Sequence, residues 1–130
     1  MVSEEPSLPG AARSGLPVLD PRPFRELLDL GSPAELIHEL IALFEEDVPV
    51  RLTALQKALD ASDAPGAMME AHQLKGALSS LGLARFAELA AQIEAQIQEG
   101  HLGQAPRLAE SLPAAYEEAL RALNTAYPQR

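Results

Sequence analysis

From about residue 21 onward apolar side chains recur every three or four positions, and no segment shows the strict alternation of a half-buried strand. The first such run is VLDPRPFRELLDL, which sets Phe24, Leu27 and Leu28 at helical spacing. Asp20 stands where an N-cap is needed and Pro21 at the first helical position, so a short helix is predicted over 21–30. Ser32 and Pro33 repeat that start signal before a second helix, whose stripe is Leu36, Leu40, Ile41, Leu43 and Phe44. Pro49 falls inside the pattern, yet Leu52, Leu55 and Leu59 continue it. The pattern therefore predicts a kinked helix that resumes to Asp60.

DASDAPG makes the next turn. Ala67, Ala71, Leu74, Leu78 and Leu81 then mark the core face of a third helix that ends at Gly82, a natural C-cap. A fourth helix carries Phe86, Leu89, Ala90, Ile93 and Ile97 and stops at EGHLG. The last is predicted from about Gln104 to Ala126, with Leu108, Leu112, Ala115, Leu120 and Leu123 inside and Pro113 as its candidate kink. Long helices with short connections describe an all-α fold, an antiparallel up-and-down four-helix bundle with a short additional N-terminal helix as a lid.

Composition changes this picture at one end. Six of the 11 prolines and three of the 8 glycines fall within the first 33 residues, so 1–17 is expected to be a disordered leader and 18–130 the helical domain. A chain of 130 residues fits one domain with a core large enough to fold without staples. The absence of cysteine excludes disulfides, thiolate metal sites and sulfur nucleophiles. A net charge of −9 disfavours nucleic acid and anionic membranes, which need a basic footprint, and points to a protein partner. No signal-peptide run opens the chain and no stretch approaches membrane-spanning length, so the cytoplasm is expected. The chain opens on Met1 and ends soon after the last helix, and the expectation is a free-standing monomer.

The candidate chemistry lies in AHQLKGALSSLG, residues 71–82. At about 100° per residue, His72 lies one step off the core stripe and shares a flank with Met68, Lys75, Gly76 and Ser79. Gly76 gives up about 0.5–1 kcal/mol of helix stability relative to alanine, and the expected return is access to the imidazole, which a side chain there would crowd. Lys75, three residues on, is placed to bring its ammonium beside the ring and attract an anion that approaches or attaches to it. From Ala71 to Ala87 there is no carboxylate, while Lys75 and Arg85 lie within the window. A histidine that accepts a phosphoryl group needs such a setting: an exposed nitrogen with a free lone pair, and a nearby cation.

AHQLKGALSSLGLARFAELAAQIE resembles the signature of histidine-containing phosphotransfer (HPt) domains, in which a phosphoacceptor histidine heads a His-x-Leu-Lys-Gly run. Here that run is His72 to Gly76, followed by the small residues Ser79 and Ser80, by Gly82, and one helix later by Glu94. The opening helices, including the proline within a long helix, are also similar to the family, so the resemblance covers about residues 18–126. Ala77 and Leu78 depart from it, since many members carry serines there.

The resemblance implies a phosphocarrier without kinase activity, in which His72 takes a phosphoryl group from a receiver-domain aspartate and passes it to another. The partners would be the receiver domains of a hybrid histidine kinase and of response regulators. No cofactor of its own is implied, Mg²⁺ being supplied by the receiver. Lys75 would steady the phosphoryl oxygens, Gly76 would let the receiver approach, and Glu94 would hold the ring's other nitrogen or lie at the rim.

Plainer readings stand beside each of these. His38 and His101 are ordinary surface or half-buried histidines, Ser79 and Ser80 are small enough merely to fill a tight helix crossing, and Met68 and Met69 serve as core filler. Glu35 and His38 form an E-x-x-H pair of the kind found in di-metal bundles, but such sites need a second pair, and Glu99 with His101 has the wrong spacing. No H-E-x-x-H is present for a zinc hydrolase. A non-phosphorylated interaction module would show loss of His72 or Gly76, and neither is lost.

Overall fold

The computed structural model describes residues 15–128. Within them α1 covers Arg22–Asp29, α2 Ala34–Asp60, α3 Ala64–Ser80 and α4 Ala84–Gln98. A 3₁₀ turn at Leu102–Gln104 leads into the short α5, Ala105–Ala109, and α6, Leu112–Ala126, closes the fold. No strand occurs among the described residues, and the molecule is an all-α helical bundle. Three-residue connections at 61–63 and 81–83 fold α2, α3 and α4 back on one another as successive antiparallel neighbours, and the α3–α4 pair is packed along the greatest length.

The buried residues form one apolar cluster, in which Phe24, Ile41, Leu55, Leu74, Leu78, Ile93 and Leu123 are fully enclosed. Each such side chain contributes roughly 1.5–3 kcal/mol of transfer free energy. Two aromatic pairs tie the ends of the chain into it. Phe24 of α1 meets Tyr127 edge to face at 5.1 Å, and Phe44 of α2 stacks on Tyr116 of α6 at 5.2 Å. The expected lid is thus anchored by a plug: α1 is mostly exposed, but its one buried residue, Phe24, is wholly inside.

Several details depart from the sequence expectation. On the 27-residue α2 the core stripe is Ile37, Ile41, Phe44, Val48, Leu55 and Leu59, spaced by three, four or, across Pro49, seven residues, so that it keeps one face of the helix. Leu36 and Leu40 fall one step around the helix and are half-buried, and Leu43 is 58% exposed. Pro33 rather than Ser32 occupies the cap of α2, which has no side-chain cap bond, and the Ser32 backbone N–H closes α1 on the Leu27 carbonyl. Pro21 rather than Asp20 occupies the cap of α1, although the Asp20 carboxylate still accepts the Arg22 N–H at 3.0 Å.

α2 runs unbroken through Pro49, where the ring removes one backbone donor and Thr53 Oγ1 donates to the Pro49 carbonyl at 3.1 Å. Pro113 behaves differently. The helix expected over 104–126 is divided at Glu110–Ser111, and Pro113 sits in the first turn of α6. Inside a continuous helix its ring would press on the carbonyl of Ala109, so α5 ends there and α6 restarts with proline where no N–H is required.

The turn between α3 and α4 is also where the chain before α1 is tied down. Gly82 has φ +79°, its carbonyl accepts the Asp20 N–H at 2.7 Å, and a Cβ there would run into the Asp20 carbonyl oxygen. Arg85 donates its backbone N–H to the Pro17 carbonyl and its Nε–H to that of Leu16, both at 3.1 Å. The leader expected over 1–17 lies outside the described residues as far as Ser14, whereas Leu16 and Pro17 are bonded to α4.

Candidate functional site

The burial of Ala67, Ala71, Leu74 and Leu78 fixes how α3 is turned. Asp63 starts the helix by accepting the Gly66 N–H at 3.0 Å, and the four core positions then direct His72, Gly76, Ser79 and Ser80 to solvent. The His72 side chain is 66% exposed. Met68 is half-buried against the core, but Met69 is 54% exposed, so only the first of the two methionines fills the interior.

α4 supplies the group that organises the site. Glu94 is only 16% exposed, with Oε2 2.8 Å from His72 Nδ1 and Oε1 2.7 Å from Lys75 Nζ. The Lys75 ammonium, and after it the His72 ring, hold the Glu94 carboxyl below the usual carboxylate range, against the opposing effect of partial burial. An ionised carboxylate only accepts, so the ring proton belongs on Nδ1, and the lone pair is on Nε2. In that tautomer one ring nitrogen is held from behind and the other, Nε2, has the lone pair that a nucleophile needs. Lys75, partly exposed at 36%, has its charge directed onto Glu94 rather than onto the ring.

Some expectations fail here for local reasons. Gly76 does not relieve crowding of the ring, because a Cβ built at that position meets nothing within 4 Å. Arg85 is not at the site: its guanidinium bonds the Leu16 carbonyl and Glu118 Oε2, the latter at 3.2 Å. The carboxylate-free window in the sequence is closed in space by Glu94. Ser80 Oγ donates to the Gly76 carbonyl at 3.0 Å, which ties it to its own helix. A link that the sequence did not signal joins the residue after His72 to α2, with Arg51 Nη1 donating to Gln73 Oε1 at 2.9 Å while Nε pairs with Asp47.

His38 is half-buried and His101 exposed, the latter 3.8 Å from Glu99. No group of three or more His, Asp or Glu residues that could hold a metal ion occurs among the described residues, and Glu35 with His38 stays an isolated pair.

A model of the Hpt domain family matches residues 39–125. The chain belongs to the Hpt domain family. Hpt domains are phosphocarrier modules of histidine phosphotransfer in two-component signalling and interact with receiver domains. The chain is 35% identical over 77 residues to the aerobic respiration control sensor protein ArcB of Escherichia coli (strain K12), and equally to that of Shigella flexneri. The match takes in 59% of this chain and 10% of each sensor protein, so the chain spans about a tenth of the length of the curated relatives it matches. No solved structure gives a significant match. No helix among the described residues is long and apolar enough to cross a membrane.

Proposed function

We propose that His72 is the phosphoacceptor, taking a phosphoryl group on Nε2 from the aspartyl phosphate of one receiver domain and delivering it to the aspartate of another. The observation that carries this is the pairing of exposure with orientation: an imidazole 66% open to solvent whose Nδ1 is bonded to a carboxylate. Lys75, one turn along and paired with the same carboxylate as the ring, would swing its ammonium to the oxygens of an attached phosphoryl group. Gly76, Ser79 and Ser80 present a low surface over which a receiver's phosphorylated loop can approach. Beside them, between α2 and α3, a groove of about 420 Å³ lined by Leu40, Leu43, Val48, Ala77 and Leu81 offers apolar surface to the same partner.

In this reading Mg²⁺ and the acidic pocket belong to the receiver, and the chain has no kinase activity of its own. It works as a cytoplasmic monomer that binds neither nucleic acid nor membrane surfaces, and its donor is a hybrid histidine kinase. Incubation with a phosphorylated receiver should give an acid-labile, base-stable phosphoprotein, and His72→Gln should abolish the label with helical circular dichroism unchanged. Label retained in that variant would move the site to His38 or His101.

A further inference from the structure

The groove between α2 and α3 is charged on one side only. Its α3 side, formed by Ala77, Leu78 and Leu81, lies in a stretch without an ionisable side chain from Gly76 to Ala84. Its α2 side adds Glu46 and Asp47 to the apolar lining, and α2 carries five carboxylates and no lysine or arginine from Ala34 to Val50. We propose that this groove selects among receivers by charge. The surface it takes is an apolar ridge flanked, on the side that faces α2, by lysines or arginines, and Glu39 and Glu46 are the residues that choose it. The inference rests on the phosphoacceptor reading of His72 and names the kind of receiver that can serve it.

The carboxylates of α2 are not equivalent. Asp47 is already paired with Arg51, whose other nitrogen bonds Gln73 beside His72. Burial and, after it, the charges of Glu45 and Glu117 push the Tyr116 phenol up, so Glu45 belongs to the α6 side. Glu39 and Glu46 are exposed, and neither has an ion pair or hydrogen bond among the described residues. One turn before and one turn after Leu43, they bracket a side chain that is 58% exposed, and Val50, 66% exposed, continues the line one heptad along.

An exposed apolar line framed by unpaired carboxylates restricts what can cover it. A neutral partner would strip water from Glu39 and Glu46 and return no bond, and an acidic one would be repelled. Lysine and arginine suit both parts, since their stems lie on Leu43 and Val50 while their heads reach the carboxylates. A second copy of the chain would set the same carboxylates against one another across a twofold axis, so the occupant is a basic partner. Because α3 offers no countercharge, the cationic flank fits on the α2 side alone, and this fixes the sense in which the receiver lies beside His72.

The test uses the full chain and the purified receiver domains of the cell it comes from, each phosphorylated with acetyl phosphate. Transfer to His72 is timed at an ionic strength of about 0.02 M and again at about 0.5 M, where the screening length falls from about 20 Å to a few ångströms. The fastest donor should slow as salt rises. Glu39→Gln with Glu46→Gln should slow that donor about fivefold at low salt and bring the chain level with the parent at high salt, and Glu46→Lys should slow it further. Glu99→Gln with Glu110→Gln, equal in net charge change and outside the groove, should transfer like the parent. Loading of every variant by phosphoramidate, which needs no docking, should be unchanged. Transfer by the Glu39→Gln, Glu46→Gln chain equal to the parent's at low salt, or the same slowing in the Glu99→Gln, Glu110→Gln chain, overturns the inference while leaving His72 as phosphoacceptor. Absence of label on His72 from every receiver refutes that reading and this inference together.

Discussion

Gly76→Ala separates what the fold wants at this position from what a partner wants. Gly76 lies inside α3, four residues before its end, and an added Cβ meets nothing within 4 Å. Its φ is not in the left-handed region, so alanine enters without strain. The methyl removes backbone freedom from the unfolded chain, and the exchange is worth about 0.5–1 kcal/mol in favour of the folded state. That corresponds to a folding equilibrium constant raised about two- to fivefold and a melting temperature raised by about 2–6 °C. Urea unfolding followed by circular dichroism reads this as a higher midpoint at unchanged slope. Phosphoryl transfer should respond in the opposite sense. A methyl on the face a receiver must approach, costing the transfer complex about 1 kcal/mol, slows transfer about fivefold. A Gly76→Ala protein less stable than the parent would refute the open space around the position. One that is more stable and transfers equally fast would refute the claim that the glycine is there for the partner.

Gly82→Ala should behave in reverse, losing roughly 2–4 kcal/mol in thermal or urea unfolding, since alanine at φ +79° is strained and its Cβ displaces the strand of chain bonded at Asp20. Asp63→Ala removes the cap bond to Gly66 and should lower stability by about 1 kcal/mol, with Asp63→Asn recovering most of it. The Glu94 carboxyl is held below its unfolded range, so its ion pairs stabilise the fold above about pH 4.5 and that contribution is lost as the pH falls through the lower, folded value. Acid titration of stability should accordingly show a step below about pH 4.5 that is missing in Glu94→Gln.

The periodic apolar pattern determined the helices because each must bury one face, and spacing alone decides which side chains share that face. Ala67, Ala71, Leu74 and Leu78 were readable in this way, and they turn His72 outward without help from any other element. The resemblance of the His72–Gly76 run to the HPt signature was legible for the same reason: its residues are neighbours on one helix. Where local rules competed, the sequence was ambiguous. Pro49 and Pro113 look alike in the chain, yet α2 continues through one and α6 begins at the other, since Ile37, Val48 and Leu55 bury the same line on both sides of Pro49, whereas at Pro113 the chain restarts. Only the tertiary structure decided which charges meet. Glu94 is 22 residues from His72 and was a weak signal in the chain, while Arg85 looked nearer and serves elsewhere. A carboxylate excluded from seventeen consecutive residues, Ala71 to Ala87, was delivered to the ring by the packing of α4 on α3, because electrostatics acts over ångströms in space and the sequence records only order along the chain.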